Sequence, residues 1–585
     1  MSNLLSIYRL QPEGSTHIPG YFVASTAPIN VEDQSPVEPL TDPSVAIAEI
    51  TQYLKAHAAH AEIVVMIHGY NTPQSGVEHW YQQACAEIGQ RYRDLPPGLV
   101  IVGYRWPSEQ IADESGKFAA KRRFAGQSLP LLLRLISRFG TVGAIAGAIV
   151  GIIGLIGLLF KQSIALAFLT TASIVLLISC LLVLPIFTLV MLRLSVYFRD
   201  VFRANNYGVA DLVELIRQLD NGLVEQVEHS DRHTQVAYWQ PRRIRLSFIG
   251  HSMGAFVVTN AVRVLSDVFD RNSIGSLNAN RQTKCPSSAI GNVFALGRLV
   301  LVAPDIAAES IISGRANTLR SSLRRFEEAY LFSNEGDMAL RLASTTANYF
   351  TFPTRTRDGG YRLGNVTVRA AGEMTADAAQ PPEKLGIVNQ ANDGQLLPQP
   401  YLDYLYIRRS KPLSERQQQV NLGDGGRPIA ELFTYFDCTN YQEQVMNAKT
   451  QQLQPVGIVS QALGKRSLSY RDYFALSLDF FAGKVDTHGG YIFNPHAKFS
   501  KQAIYGLACL GFDGFLASLQ TEPQFALALK ATQTQQPDRP LAQQAKLAAL
   551  QTFSQRCAAR GIQVLLAPER YQTNILGQPR DRDGY

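Results

Sequence analysis

The chain has 585 residues, a formal charge of +7, 46% hydrophobic residues and 18% charged residues, which fits a globular protein of two or more domains. Nucleic acid is not an expected partner, because the sequence has no run of five lysine or arginine residues and no nucleic-acid-binding motif. The six cysteines are scattered without a C-x-x-C pair, which predicts reduced thiols and neither a disulfide framework nor a zinc site.

Short apolar runs rich in β-branched residues alternate with helix-like stretches along most of the chain. The predicted strands are 4–10, 21–24, 63–67, 99–104, 244–249, 298–302, 329–332 and 432–436, and helix patterns cover 44–58, 77–92, 209–219 and 255–265. Several runs are apolar at consecutive positions, as in strands that are covered on both faces. This alternation predicts an α/β fold with a doubly wound, mostly parallel sheet.

Two long uncharged segments interrupt this alternation. Phe139–Phe160 and Gln162–Leu192 contain no charged residue, and only Lys161 separates them. Each segment is long enough to cross a bilayer as a helix, and a buried helical hairpin of a soluble core is the weaker interpretation. The segments therefore predict an inserted transmembrane helical hairpin at residues 138–198.

The charges on either side of this hairpin predict its orientation. Lysine and arginine residues are concentrated at 117–138, before the first span, and at 193–203, after the second span. By the positive-inside rule both flanks are cytoplasmic, so the rest of the chain is expected to face the cytoplasm from an integral membrane position. The lipid bilayer is an expected partner. Glycines at 143, 147 and 151 would let the two helices approach closely.

The stretch I-R-L-S-F-I-G-H-S-M-G, residues 244–254, places a serine between two glycines where a predicted strand meets a predicted helix. A strand, a Gly-x-Ser-x-Gly turn and a helix form a nucleophile elbow, in which only glycine lets the neighbouring backbone pass. The pentapeptide alone is a weak signal, and the strand and helix around it give it weight. Ser252 is therefore predicted to be a nucleophile held out at the carboxyl edge of the sheet, beside a helix N-terminus.

A serine nucleophile needs a histidine base and an orienting acid, which in this architecture follow in the order serine, acid, histidine. Only two histidines follow Ser252. His488, in a glycine-bearing loop, is the expected base, and His496 is the alternative. Asp337, just after a predicted strand, is the expected acid, and Asp305, after the preceding strand, is the alternative.

The backbone N–H of Met253 is the first expected donor of an oxyanion hole, because it directly follows the serine. The second expected donor is the N–H of Tyr70, in the loop after a predicted strand. His68 in the same loop is expected to be a core residue that orders the loop. The predicted chemistry needs no metal and no organic cofactor.

Six stretches occur in order along the chain: HGYNT, YRWPSE, GHSMG, LVAPDI, GDMALRLAS and YRLGN. Together they resemble the bacterial α/β-hydrolase family of uncharacterised esterase- and lipase-like proteins. The resemblance covers about 62–108 and 203–364, together with the stretch FTYFDCTNY and the His488 loop. It implies an α/β-hydrolase fold with Ser252 as nucleophile and Asp337 as acid. His488 is matched less firmly. The membrane hairpin, the long segment before the last strand and the C-terminal extension depart from the family pattern.

The expected function is that of a membrane-anchored serine hydrolase that cleaves a carboxylic ester through an acyl-enzyme, and the membrane location suggests a lipid ester as substrate. An acyltransferase and a catalytically inactive, membrane-tethered scaffold are the alternatives, since fold alone does not fix the reaction. The oligomeric state is not predicted. The predicted segments are the first part of the hydrolase domain (1–137), the hairpin (138–198), the second part with the elbow (199–353), an irregular insertion (354–428), the last strand with the histidine loop and a helix (429–515), and a C-terminal extension (516–585).

Overall fold

The structure is a computed structural model. It describes residues 4–11, 18–28, 42–108, 145, 147–154, 156–157, 164–229, 231–267, 286–312, 319–345, 361–369, 385–390, 400–407, 412–415, 429–447, 449–460 and 468–578. The chain divides into two compact units, one formed by Met1–Pro107 with Arg203–Tyr585 and the other by Ser108–Phe202.

The secondary structure elements are named in chain order. The strands are β1 (Leu5–Arg9), β2 (Gly20–Ser25), β3 (Ala61–Ile67), β4 (Gly98–Arg105), β5 (Ile244–His251), β6 (Ala289–Ile290), β7 (Phe294–Val302), β8 (Glu328–Ser333), β9 (Val366–Val368), β10 (Gly386–Ile387), β11 (Leu405–Ile407), β12 (Phe433–Asp437), β13 (Gln442–Met446), β14 (Leu453–Gly457) and β15 (Gln563–Leu565). The helices are α1 (Pro43–Ala56), α2 (Gln74–Arg91), α3 (Ile164–Arg203), α4 (Val209–Glu225), α5 (Arg232–Trp239), α6 (Met253–Leu265), α7 (Glu309–Ile312), α8 (Leu319–Leu323), α9 (Tyr470–Phe481), α10 (Gly490–Phe493), α11 (Lys498–Ser518), α12 (Pro523–Gln535) and α13 (Leu541–Ala559).

Eleven strands form one sheet in the order β1-β2-β4-β3-β5-β7-β8-β12-β15-β10, with β6 paired to β7. All neighbours from β2 to β12 are parallel, while β1 is antiparallel to β2. Every residue of β3 and β4 is buried, as expected for strands covered by helices on both faces. Because the strands from β2 to β12 are parallel, their carboxyl ends lie at the same edge of the sheet. Ligands bind at this edge in open α/β sheets.

Each strand and each helix predicted from periodicity is present, with ends that differ from the predicted ones by up to six residues in either direction. The predicted C-terminal extension, however, does not stay apart from the sheet. β15 lies between β12 and β10, antiparallel to β12 and parallel to β10. β12 was expected to be the last strand, so this assignment is corrected: β15 pairs with the backbone groups that β12 would otherwise leave at an open edge.

The predicted irregular insertion is not wholly irregular in its described parts. β9 and β11 pair as an antiparallel ribbon, and β10 extends the main sheet. The sequence did not predict these strands because they are only two or three residues long. Such strands are too short to show the alternation of period two that identifies a strand.

Much of the predicted hairpin lies outside the described residues, including Gly143. Residues 147–154 are helical, and residues 164–192 of the second predicted span lie within the 40-residue helix α3. A Cβ atom on Gly154 would lie 2.2 Å from Oγ1 of Thr170, and one on Gly147 would lie 3.7 Å from the carbonyl oxygen of Ser173. The two helices therefore run antiparallel and pack closely at these glycines.

One helix in the described part of the chain is long and apolar enough to cross a membrane by length and composition. This helix is Lys498–Thr521, and 72% of its apolar window is buried inside the fold. This helix packs against β5 and β7. Arg298 of β7 donates hydrogen bonds to the carbonyl oxygens of Ala508 and Cys509 in the helix. Its apolar character is therefore that of a core helix.

Candidate active site

Ser252 lies between β5 and α6 with φ 55° and ψ −122°, a backbone conformation that few L-residues adopt. The flanking glycines make this turn possible. A Cβ atom on Gly250 would lie 2.8 Å from Cα of Ala255, and one on Gly254 would lie 2.4 Å from the carbonyl oxygen of Ile67. Only glycine fits at both positions, which explains the Gly-x-Ser-x-Gly pattern.

Replacing Gly254 by alanine is expected to destabilise the fold by about 2 to 3 kcal/mol, because the new methyl group would overlap a backbone carbonyl group. The measurement is the midpoint of thermal unfolding of the full-length chain. Ser252→Ala is the matched control, since the Ser252 hydroxyl has no hydrogen-bond partner among the described residues. A Gly254→Ala variant as stable as the control would contradict this packing of the elbow.

The Ser252 hydroxyl is at the carboxyl edge of β5, as predicted, but it is not exposed. The exposed fraction of Ser252 is 0%, and a Cβ atom on Gly69 would lie 3.3 Å from its Oγ. The loop after β3 therefore covers the serine. The structure differs here from the expectation of an open rim, and a substrate must displace part of this cover to reach Oγ.

The two predicted oxyanion-hole donors lie on the segments that meet at Ser252. Met253 is the first residue of α6, where backbone N–H groups have no partner within the helix. The N–H of Tyr70 belongs to the peptide group that follows Gly69, and the hydroxyl of Thr72 donates to the carbonyl oxygens of Gly69 and Tyr70 at 3.4 and 3.2 Å. These bonds fix the loop beside the serine.

His68 orders the same loop, as expected for a core residue. Its ring stacks on Trp106 with centroids 5.2 Å apart, and the indole N–H of Trp106 donates to the carbonyl oxygen of His68 at 2.9 Å. Burial lowers the pKa of His68 to about 3. The ring is therefore neutral near pH 7.

The predicted acid and the predicted base are in direct contact. Nδ1 of His488 lies 2.6 Å from Oδ2 of Asp337, and both side chains are buried. The backbone N–H of Leu340 donates to the other carboxylate oxygen of Asp337 at 3.0 Å. With Nδ1 as the donor to Asp337, the imidazole presents Nε2, which has no hydrogen-bond partner in the described part of the chain.

The imidazole of His488 also lies beside the elbow. Its ring centroid is 5.0 Å from that of His251, the residue before Ser252, and Nε2 of His251 lies 3.4 Å from the carbonyl oxygen of His488. Burial lowers the pKa of His251 to about 3, so this second histidine is neutral. The structure thus brings Ser252, Asp337 and His488 to one edge of the sheet.

The pKa of His488 lies above its ordinary value of 6.5. Burial disfavours the imidazolium, but the negative charge of Asp337 and its hydrogen bond to the ring outweigh this effect. A histidine in this setting is a stronger base than one in solution.

The two alternative residues have other surroundings. His496 is exposed, and its backbone N–H donates to Oδ1 of Asn494 at 2.9 Å. Asp305 lies beside the elbow, where its backbone N–H donates to the carbonyl oxygen of Ser252 at 3.1 Å. Its carboxylate accepts from Nε of Arg362 at 3.0 Å. Asp305 therefore supports the elbow, while Asp337 holds the imidazole.

Asn334 connects the acid loop with the histidine loop and was not singled out from the sequence. Its side-chain amide donates to the carbonyl oxygens of Val459 and Thr487 at 3.0 and 2.9 Å. The hydroxyl oxygen of Thr487 in turn accepts from the backbone N–H of Met338 at 3.0 Å. An asparagine two residues after the predicted strand 329–332 and three residues before Asp337 was the available sequence signal.

The YRLGN segment connects the loop after β7, which contacts the elbow through Asp305, with the loop that carries the acid. The N–H of Gly364 donates to the carbonyl oxygen of Pro304 at 3.1 Å, and its own carbonyl oxygen accepts from the N–H of Asn334 at 2.9 Å. The Arg362–Asp305 ion pair adds a side-chain contact. The motif supports the geometry of both loops, which its position in the sequence alone did not indicate.

Residues 231–369 match the model of a family described as "Alpha/beta hydrolase of unknown function (DUF900)". The matched range contains β5, the elbow, β7, β8 and Asp337, and it ends before the loop of His488. No curated protein and no solved structure matches the chain. The matched part of the chain thus supports an α/β-hydrolase family, and the mostly parallel sheet with its helices agrees with that fold.

Proposed function

We propose that this protein is a serine hydrolase that cleaves carboxylic esters, with Ser252 as nucleophile, His488 as general base and Asp337 as the orienting acid. The observation that carries the proposal is the 2.6 Å contact between His488 and Asp337 beside a serine in a strained elbow. The match to a hydrolase family supports the reaction class.

In the proposed reaction, Oγ of Ser252 attacks the ester carbonyl carbon while Nε2 of His488 takes the hydroxyl proton. The N–H groups of Met253 and Tyr70 donate to the oxyanion of the tetrahedral intermediate. His488 then gives its proton to the leaving alcohol, and Asp337 remains ionised and stabilises the imidazolium. Water, activated by His488, attacks the acyl-enzyme and releases the acid.

The proposal includes a membrane anchor, with the hydrolase unit on the cytoplasmic side. The two uncharged segments and the basic flanks support it, as does the 40-residue helix α3. An ester carried by a lipid is then the favoured substrate class. Extraction of cell membranes with alkaline carbonate is expected to leave the full-length chain in the pellet, and its release into the supernatant would contradict the anchor.

Hydrolysis of a p-nitrophenyl ester by the full-length protein tests the reaction class. Wild type is expected to release p-nitrophenol, and Ser252→Ala is expected to lose this activity. A folded wild type without turnover would favour the inactive scaffold. Formation of a new ester only when an alcohol acceptor is added would favour acyl transfer.

The pH dependence of kcat/KM is expected to follow the protonation of His488. The protonated ring cannot accept the Ser252 proton, so activity is lost as the pH falls through a midpoint above 6.5. Asp337→Asn removes the charge that raises this pKa, so its midpoint is expected at lower pH than that of wild type. Rates of fluorophosphonate labelling across the pH range give the midpoints of wild type and of Asp337→Asn. Identical midpoints would contradict the assignment of Asp337 as the acid that pairs with His488.

A further inference from the structure

We propose that the outward face of α9 is a docking surface for a lipid bilayer. Tyr470, Phe474 and Leu478 occur at i, i+4 and i+8, and their exposed fractions are 74%, 68% and 55%. Residues at this spacing lie on one face of a helix. These three residues form the α9 stripe.

The opposite face of α9 already packs against the fold. Tyr473 and Leu476 are buried, and they form an apolar cluster with Met338 and Leu468. A surface helix of a soluble domain normally pairs one apolar face with a polar one. α9 instead carries bulky apolar side chains on both faces, and the described residues of the fold cover the inner one.

One exposed cation lies beside the α9 stripe, while the two aspartates of the helix have partners in the fold. Arg471 is exposed next to the stripe. Asp472 is held by the N-terminal capping box with Ser469, and the carboxylate of Asp479 lies 3.4 Å from Nζ of Lys484. Aromatic residues, leucine and an exposed cation are the composition that places a helix in the headgroup region of a bilayer.

The position of α9 connects the stripe with the candidate active site. α9 follows β12 and precedes His488 in the chain, and its buried face packs against Met338, the residue after Asp337. The hydroxyl of Ser477 on α9 contacts the sulfur of Met338 at 3.3 Å, directly beside Asp337. A bilayer at the stripe would present lipid-borne esters to the candidate active site. That consequence rests on the proposed function, whereas docking itself does not.

Tryptophan fluorescence of the full-length chain tests the docking surface. Phe474→Trp is reconstituted into vesicles of phosphatidylcholine and phosphatidylglycerol, with and without a doxyl-labelled lipid. The three natural tryptophans, Trp80, Trp106 and Trp239, are all buried. Leu527→Trp is the matched control, because Leu527 is 73% exposed on α12. Doxyl lipid is expected to quench the indole introduced at position 474, with a blue shift of its emission, and to leave the indole at position 527 unquenched.

Adding Leu478→Asp to the Phe474→Trp variant is expected to remove both the blue shift and the quenching. Equal quenching at positions 474 and 527 would overturn the proposal. A blue shift in lipid-free detergent without quenching by doxyl lipid would also overturn it, in favour of contact with a second copy of the chain. Fluorophosphonate labelling of the same samples reports the proposed function separately: labelling without quenching rejects docking alone, and quenching without labelling rejects the hydrolase alone.

Discussion

Replacing His488 by alanine is expected to lower kcat for ester hydrolysis by about 10⁴-fold or more, since no other group is expected to take the Ser252 proton. His496→Ala is the matched control and is expected to keep wild-type kcat, because His496 is exposed and its hydrogen bonds to described residues are made by its backbone within its own loop. The measurement is the rate of p-nitrophenyl ester hydrolysis by equal amounts of folded protein.

His488→Gln is a second variant that separates the loss of the base from a loss of the folded structure. The alanine variant leaves the buried carboxylate of Asp337 without its imidazole partner, which itself lowers stability. Glutamine retains an N–H donor for Asp337 but cannot act as a base. A glutamine variant with wild-type kcat, or a large loss in His496→Ala, would show that the base has been assigned to the wrong histidine.

Asp337→Asn is expected to lower kcat by about 10⁴-fold, because a neutral amide neither fixes the required imidazole tautomer nor stabilises the imidazolium. Asp305→Asn is the matched control at the other candidate acid. It weakens the buried ion pair with Arg362 and is expected to lower the thermal unfolding midpoint. Its effect on kcat is expected to be much smaller, because its carboxylate is bonded to Arg362 and not to the imidazole.

Turnover and thermal unfolding of the two aspartate variants, measured side by side, separate these roles. A greater loss of kcat in Asp305→Asn than in Asp337→Asn, at equal folded fraction, would assign the acid to Asp305. The contacts of the two carboxylates predict the greater loss of kcat in Asp337→Asn.

The central strands and the elbow could be predicted because their signals are local. Continuous apolar runs identify strands buried on both faces, and the elbow needs glycine at fixed positions around Ser252. The rule of chain order limited the base to His488 or His496, and loop position favoured His488. The position after a predicted strand favoured Asp337 as the acid, and the structure places His488 and Asp337 in contact. Their catalytic roles remain proposals.

Features that depend on distant parts of the chain could not be predicted. β15 joins the sheet through pairing with β12, a partner far away in sequence. The hydrogen bonds of Asn334 to two other loops have no periodic signature. The cover over Ser252 arises from the packing of Gly69, which the glycine alone does not reveal. Each of these is a tertiary contact between segments whose local patterns are ordinary.

The most direct test of the catalytic account is labelling of the full-length wild-type chain with a fluorophosphonate, followed by mass spectrometry of its peptides. The account predicts one phosphonylated residue, Ser252, and slow or absent labelling of the folded His488→Gln variant. Modification at a different residue, or no modification of folded wild type, would contradict it.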